Sequence, residues 1–401
     1  MKYIVVVGDG MADYPLKELG GKTPLQAADK PNIDEVAKRG CSGLLQTIPE
    51  KYQSGSDVAN LSILGYDPDL YYPGGRGPIE AAAQGIALKP GDIAFRANII
   101  TVENGRIVDY SAGKITNEEA RQLIKEANRA FGGKSAEFYP GVSYRHLLVL
   151  RNTNLEPEDF DCNAPHDNTD EEYKGLMIKG KKNAKEWADK LNKWMSDSIE
   201  LFEKHPVNLK RKKEGRRLAN MLWFWGPGKR KREMPTLKDK YGWTGVVISG
   251  VDLVKGLGAL AGLKVLEIPG ATAYFDTNFE GKADAAIKAL ETCDLSYLHI
   301  EAPDEAGHQG LIEEKVKAIE NIDKRVVARI LDKMKGDYKL GFLCDHATPI
   351  SLRTHSKDPI PFTIMGGPRD SVTRYDEESA KKGGYGLRKG PEFMDLLAGK
   401  R

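Results

Sequence analysis

Cysteine is scarce in this 401-residue chain: Cys41, Cys162, Cys293 and Cys344 lie far apart, with none of the paired spacings of a zinc ribbon or a redox motif. That argues against a disulfide framework and a thiolate metal site, and leaves reduced, mostly buried thiols. Net charge is scarce as well. Sixty basic against fifty-eight acidic side chains leave +2, too weak a field to argue for nucleic acid or an anionic membrane as partner. There is no long apolar run: residues 1–7 meet Gly8-Asp9-Gly10 too soon for a signal segment or a membrane span. The expectation is a cytoplasmic protein with no membrane partner. Internal repeats and low-complexity tracts are also missing. What is there, 40% hydrophobic and 29% charged residues, describes a globular chain long enough for two cores.

Residues 3–7 form a β-branched run without polar alternation, the pattern of a strand buried on both faces, and the run stops at Gly8-Asp9-Gly10. Asp9 therefore lies at a strand's C-terminal end. Residues 32–38 read as a helix and 42–47 as a strand. The last third repeats this alternation, with apolar runs at 246–249, 264–268, 295–300 and 340–344 between helical patterns such as 282–290 and 312–334. Together they predict an α/β core with a mostly parallel sheet sandwiched by helices. In between, strand signals at 93–102, 106–110 and 136–151 surround a helix at 117–131, and a Lys/Glu-rich helical stretch follows at 170–202. That is the texture of an inserted α+β domain. Turn-rich segments at 65–78 and 226–242 are the expected connections and hinges, giving a discontinuous core domain of residues 1–74 and 236–401 and an insert of residues 75–235. The basic clusters at 210–217 and 229–232 read as a solvated helix face and loop. Trp223, Phe224 and Trp225 read as core filling rather than a stacking platform for nucleic acid.

Only seven histidines occur, yet three sit in hard-ligand contexts: Asp304-Glu-Ala-Gly-His308, Asp345-His346, and His355 shortly after. Imidazole with carboxylate suits a divalent borderline metal such as manganese or zinc. Each aspartate follows a buried-strand pattern, which gathers all of them at the carboxyl edge of the sheet, where open α/β folds place ligands. Asp304 and His308 at i, i+4 can face one another across a turn, and adjacent Asp345 and His346 can serve neighbouring ions, so two metals are expected. His205 and His299, with no co-ligand nearby in sequence, read as hydrogen-bonded structural residues. Residues 52–62 form a Gly/Ser-rich turn running into a helix-compatible stretch, which offers backbone N–H groups to a phosphate oxygen. Ser54 and Ser56 there can be helix N-caps, or a serine there can be a nucleophile whose pKa a metal lowers.

Taken together, Val7-Gly-Asp9-Gly-Met, Gly55-Ser56-Asp-Val-Ala-Asn60-Leu-Ser-Ile-Leu-Gly-Tyr-Asp, Glu301-Ala-Pro-Asp304-Glu-Ala-Gly-His308 and Cys344-Asp345-His346-Ala-Thr-Pro resemble the alkaline-phosphatase superfamily. More narrowly they resemble its archaeal-type, cofactor-independent phosphoglycerate mutases. The resemblance continues through Gly75-Arg-Gly-Pro-Ile-Glu-Ala, Gly141-Val-Ser-Tyr-Arg-His146, Ala164-Pro-His-Asp167 and Trp223-Phe-Trp-Gly226. It implies an alkaline-phosphatase-like core with an inserted cap and a phosphoserine on Ser56. It also implies two divalent ions, manganese first with zinc, cobalt or magnesium as alternatives, and no 2,3-bisphosphoglycerate. On the matching positions one ion falls to Asp9, Ser56, Asp345 and His346 and the other to Asp304, His308 and His355. The implied cap holds substrate with Arg76, Arg96, Arg145, His166 and Asp167, and Lys255 is a further phosphate contact; guanidinium groups bind carboxylate and phosphate bidentately. Lys114, where arginine is expected, and Asn168-Thr-Asp170 after the His-Asp pair depart from the family's cap pattern.

The implied reaction interconverts 2-phosphoglycerate and 3-phosphoglycerate, with a closed cap excluding water so that the phosphoserine does not hydrolyse. The partner is thus a small molecule rather than nucleic acid, and homo-oligomerisation is left open. The alternative on the same metal motifs is a metal-dependent phosphomonoesterase or sugar-phosphate mutase. From another class, the basic segment at 210–232 could serve a nucleic-acid-binding protein.

Overall fold

A computed structural model describes residues 1–230 and 232–400. The chain divides into two compact units, Met1–Tyr72 with Glu233–Arg401, and Pro73–Arg232. The divisions fall slightly before the 74/75 and 235/236 bounds expected from the turn-rich segments. In chain order the strands are β1 (Lys2–Gly8) and β2 (Gly40–Gln46); β3 (Ile93–Glu103), β4 (Arg106–Asp109), β5 (Ala136–Tyr139), β6 (Arg145–Leu150), β7 (Phe160–Asp161), β8 (Lys179–Gly180) and β9 (Met221–Gly228); then β10 (Gly245–Ile248), β11 (Lys264–Val265), β12 (Leu295–Ile300), β13 (Tyr338–Leu343), β14 (Ile360–Met365) and β15 (Gly386–Lys389).

The discontinuous unit is built on an eight-stranded sheet in the order β11-β10-β12-β1-β13-β14-β2-β15. The strands from β11 to β13 are parallel, β14 runs antiparallel to both neighbours, and β15 is parallel to β2. This is the mostly parallel α/β core that the strand–helix alternation predicts. Successive residues Ile4, Val5, Val6 and Val7 of β1 are all fully buried; since neighbours on a strand point to opposite faces, both faces of the sheet are covered. Of the thiols, Cys41, Cys293 and Cys344 are buried, Cys162 is partly so, and all are free.

Strand order sets up the site. β1 lies between β12 and β13, and parallel register aligns Val7 with His299 on one side and Leu343 on the other. The segments leaving these three strands therefore emerge side by side at one carboxyl edge. β14 escapes the sequence pattern because Pro361 interrupts an otherwise apolar run. The helical pattern at 312–334 is also not uniform: the helix Ile312–Ile322 passes through a π turn at Asp323–Val327 before Ala328–Lys333. At that turn the Asp323 carboxylate accepts from Ile33 N, a first-turn backbone donor of the helix Pro31–Arg39, and from the side-chain Asn32 Nδ2, each at 2.7 Å.

The inserted unit has its own sheet, β4-β3-β6-β5 with β9 also paired to β3, antiparallel throughout. Its helix Asn117–Phe131 starts at a Thr116/Glu119 capping box and buries Ala120, Leu123, Ile124 and Ala127. The expected helix at 170–202 begins only at Lys185 and runs to Glu203, because the preceding residues pair as β8 against β7, a tertiary choice that overrides local propensity. β9 occupies the start of the segment expected to be a connection, and its Trp223 and Phe224 fill a core with Phe95, Leu148, Leu191 and Met195. The basic cluster departs from a solvated face at its centre. Arg211 is fully buried, donates to the carbonyls of Ala112 and Arg217 and pairs with Glu119, while Arg216 pairs with Glu119 and Arg217 with Asp109.

Truncating Leu191 to Ala should destabilise the protein by about 2–5 kcal/mol, whereas the half-exposed Leu209 changed to Ala should stay within about 0.5 kcal/mol of wild type. Urea unfolding followed by tryptophan fluorescence separates the two.

Candidate active site

Asp9 follows β1, and Gly10 turns the chain with φ +62; a Cβ there would stand 2.6 Å from Thr348 Oγ1 and 2.7 Å from Asp304 Cα, so only glycine lets these segments meet. Asp345 Oδ1 accepts from Gly10 N at 3.3 Å and from His346 N at 2.9 Å. The helix Ala302–Gln309 places Asp304 and His308 one turn apart, with Oδ2 and Nε2 separated by 3.2 Å. His355 Nε2 lies 3.0 Å from His308 Nε2 and 3.5 Å from Asp304 Oδ1. Ser56 opens the helix Ser56–Ile63, with Gly55 in the N-cap position. Its Oγ is 3.0 Å from His346 Nε2, and that nitrogen is 3.5 Å from both Asp9 Oδ1 and Asp345 Oδ2. Asn60, one turn on, donates to Asp345 Oδ2 at 2.8 Å and to Ser56 O at 2.9 Å, and accepts from Tyr297 Oη at 2.7 Å.

Asp9, Asp304 and Asp345 are all buried. Among the described residues the only basic groups within ion-pairing distance of them are His299, His308, His346 and His355. Burial, reinforced by Asp345, Asp304 and Glu301, drives the Asp9 carboxyl well above its usual range. Burial does the same to Glu301, with Asp304 adding to it. Burial also opposes ionisation of Asp345 and Asp304, yet His346 and His299 hold the first below its usual range, and hydrogen bonds from His308 and His355 hold the second. Burial lowers His346 to about 4, leaving a neutral ring, whereas Asp304 lifts His308 to about 9. Asp9 Oδ1, His299 Nε2 and Glu301 Oε2 are buried without a hydrogen bond. Buried carboxylates with orphaned atoms call for cations. Ligand atoms group within 4.8 Å as Asp9/Asp345/His346, Asp304/His346/His355 and Asp9/His299/Glu301, and oxygen with imidazole nitrogen fits divalent ions.

The inserted unit carries a cluster of opposite sign. Arg96 on β3 is buried, pairs through Nε with Glu80 at 3.0 Å and lies with its guanidinium 4.4 Å from the Trp225 ring centroid. The His166 ring centroid is 5.2 Å from that of Trp225, and its Nε2 is 3.7 Å from Asp167 Oδ1. After burial, the charges of Arg76 and Arg145 depress Arg96. His166 is lowered chiefly by burial and further by Arg96 and Arg76, against the pull of Asp167. Arg76, Arg96, Arg145 and His166 thus share one electropositive patch. Trp225 packs, partly buried, against the core of the unit as expected, and its ring also supports the Arg96 guanidinium and His166.

A family model described as 2,3-bisphosphoglycerate-independent phosphoglycerate mutase matches residues 37–208. A protein of that name from Methanosarcina barkeri is 49% identical over 403 residues, covering 99% of both chains; a probable one from Geobacter sulfurreducens is 46% identical, again over 99% of both. Among solved structures, a Pyrococcus horikoshii protein is 31% identical with a TM-score of 0.81, over 99% of this chain and 96% of that one. The cofactor-independent phosphoglycerate mutase from Thermoplasma acidophilum is 28% identical with a TM-score of 0.68, over 99% of each. The chain belongs to the 2,3-bisphosphoglycerate-independent phosphoglycerate mutase family.

Within this phosphoglycerate mutase chain, the expected ligand positions Asp9, Ser56, Asp304, His308, Asp345, His346 and His355 all lie in the one cluster described above. Lys255 stands apart from it in its partners: its ammonium makes hydrogen bonds of 2.8 and 2.7 Å to Glu267. His205 keeps a structural role, accepting from Val207 N as the cap of the helix Pro206–Lys213. His299 makes the hydrogen bond expected of a structural residue, to Ser249, and in addition groups with Asp9 and Glu301. It is fully buried, 3.2 Å from Asp9 Oδ2 and 3.3 Å from Ser249 Oγ. Its neighbour Asp9 is distant in sequence, and only the β1–β12 register joins them. Glu301, Asn60 and Tyr297 stand in or beside quoted motifs without having been assigned roles.

In chelator-treated protein His308 should titrate near 9. Its contact with Asp304 then stabilises the fold below the unfolded value of about 6.5 and is lost as pH rises through 9. Histidine NMR titration should show Asp304→Asn returning it towards 6.5; a wild-type value under 7 would contradict the geometry.

Proposed function

We propose that this mutase interconverts 2-phosphoglycerate and 3-phosphoglycerate without 2,3-bisphosphoglycerate, through a phosphoserine on Ser56. The observation that carries this reading is the 3.0 Å approach of Ser56 Oγ to His346 Nε2 inside a buried carboxylate–imidazole cluster. The reading is also supported by full-length identity of 49% to a relative named for the reaction. Asp9, Ser56, Asp345 and His346 hold one divalent ion and Asp304, His308 and His355 the other; the donor set suits manganese first, with zinc, cobalt or magnesium as alternatives. When bound, these ions lower the pKa of the serine hydroxyl and neutralise charge on the phosphoryl group.

Ser56 sits at the first turn of its helix, where the N-terminal dipole favours an anion. Asn60 holds the Ser56 carbonyl and the Asp345 carboxylate at once, so nucleophile and ligand keep a fixed spacing. Arg76, Arg96 and Arg145 take the anionic groups of the substrate, and His166 with Asp167 serves the glycerate hydroxyl. His166 is suited to accept a proton there because its pKa is below the usual value, leaving it neutral at pH 7. Lys255 becomes a phosphate contact if it exchanges Glu267 for substrate. In the first half-reaction the P–O bond to substrate breaks as the P–Oγ bond forms, and the serine proton passes to the leaving oxygen. Glycerate stays bound, turns, and takes the phosphoryl group on its other hydroxyl. Water must be excluded meanwhile, or Ser56 releases free phosphate. No helix among the described residues is long and apolar enough to cross a membrane, and we place the reaction in the cytoplasm.

An enolase-coupled assay from 3-phosphoglycerate, with free phosphate measured in parallel, tests this. Ser56→Ala should lower turnover by roughly 10³-fold or more, the scale of losing a covalent nucleophile. Chelation should abolish activity and manganese restore it. Turnover surviving the serine change rejects the covalent route, and phosphate release matching substrate loss makes the protein a phosphatase.

A further inference from the structure

Lysine is almost never fully buried unless it is paired, yet Lys315, on the helix Ile312–Ile322, has no exposed surface. Its Nζ donates to Asp13 Oδ2 at 2.7 Å, to Thr348 O at 2.8 Å and to Ala12 O at 3.3 Å, which uses all three N–H groups of an ammonium. These partners belong to the two segments that carry Asp9 and Asp345-His346. Asp13 extends the tie, its oxygens accepting from Ile350 N at 3.2 and 3.1 Å. One ammonium thus fastens the segment after β1 to the segment after β13.

Thr348 is the next link. Its Oγ1 donates to Asp304 Oδ1 and lies 3.2 Å from His346 Nδ1. A hydroxyl has one proton; once that proton goes to the carboxylate, Oγ1 can only accept from His346 Nδ1–H. That fixes the tautomer of His346 with its Nε2 lone pair towards Ser56 Oγ, the form a metal ligand requires. Gly307 lets the helix Ala302–Gln309 pass close to Thr348, since a Cβ there would stand 2.5 Å from Thr348 O.

We infer that Lys315 is a positioning residue for the reaction: through Thr348 it fixes the orientation of Asp304 and the metal-binding tautomer of His346. The inference rests on the ligand set proposed above. It differs from a purely structural role in what it predicts for metal affinity. A buried pair that serves only the fold can be replaced by a neutral pair without touching the site, whereas a strut cannot.

Manganese binding is measured by the electron paramagnetic resonance signal of the free ion, on protein shown to be folded by circular dichroism. Thr348→Val removes the hydroxyl at nearly constant shape, and Thr348→Ser keeps it. Lys315→Met combined with Asp13→Asn removes both buried charges together, so no lone charge remains. Thr348→Val and the double variant should bind manganese about 10–100-fold more weakly, the usual effect of losing a group that orients a ligand, with kcat recovered at saturating manganese. Thr348→Ser should stay within about threefold of wild type by the same reasoning. Wild-type affinity in folded Thr348→Val or in the folded double variant overturns the inference. If the double variant does not fold, the Thr348 pair decides. A wild type that binds no manganese takes down the ligand set and this inference with it, whereas normal binding in wild type and unchanged binding in the variants removes the strut alone.

Discussion

Asp9, Asp304, Asp345 and Glu301 share one buried space, and the rest of the core follows from how their charge is met. Like charges a few ångströms apart in a poorly solvated site cannot all ionise on their own. Histidines reach Asp345 and Asp304 and hold them ionised, but burial and mutual repulsion leave Asp9 and Glu301 raised. A few residues past Asp9 the same chain shows the other solution, since buried Asp13 receives Lys315 at 2.7 Å. Asp13 is given an ammonium, whereas among the described residues Asp9 and Asp345 have only histidines within ion-pairing distance. Stability alone would favour a lysine or an apolar residue in both places.

Crowding of this kind needs a scaffold that brings distant residues to one edge without strain. Parallel strands do so because each returns through a covering helix and leaves the sheet at the same end. The neighbours β12, β1 and β13 supply Glu301 and Asp304, Asp9, and Asp345 with His346. Ser56 and His355 come from segments outside that trio, and Asn60 and Ser54 tie them in. Asn60 bonds Asp345, and the Ser54 hydroxyl donates to His355 O at 3.0 Å.

Much of this was legible in the sequence where one local rule acted alone. β12 matches residues 295–300 and the helix Asn117–Phe131 matches its pattern end to end, the first from a short, largely apolar run and the second from its helical pattern. The aspartates were legible because each follows a strand. Tertiary choice defeated the rest: Pro361 hid a central strand, β7–β8 pairing replaced a helical stretch, and Arg211 looked like its solvated lysine neighbours until folding surrounded it with carbonyls. His299 and Lys315 were illegible for a deeper reason. Their meaning lies in partners distant in sequence, Asp9 for His299 and Asp13 for Lys315; helical spacing puts Lys315 on the buried face with Ala318, Ile319 and Ile322, but gives no local sign of the carboxylate it meets.

The two units also divide the electrostatic work. The core offers negative charge that asks for cations; the insert offers guanidinium groups that ask for anions. Stacking on Trp225 holds the Arg96 plane beside the Glu80 carboxylate, and a guanidinium held this way presents its donors in a set direction. A lysine there would keep the charge and lose the direction. Direction matters for a substrate that carries a carboxylate and a phosphate on a short carbon chain, because the two groups differ in shape more than in sign. On the proposed assignment, planar donors of the insert tell the carboxylate from the phosphate, while the cluster around Ser56 takes the phosphoryl group.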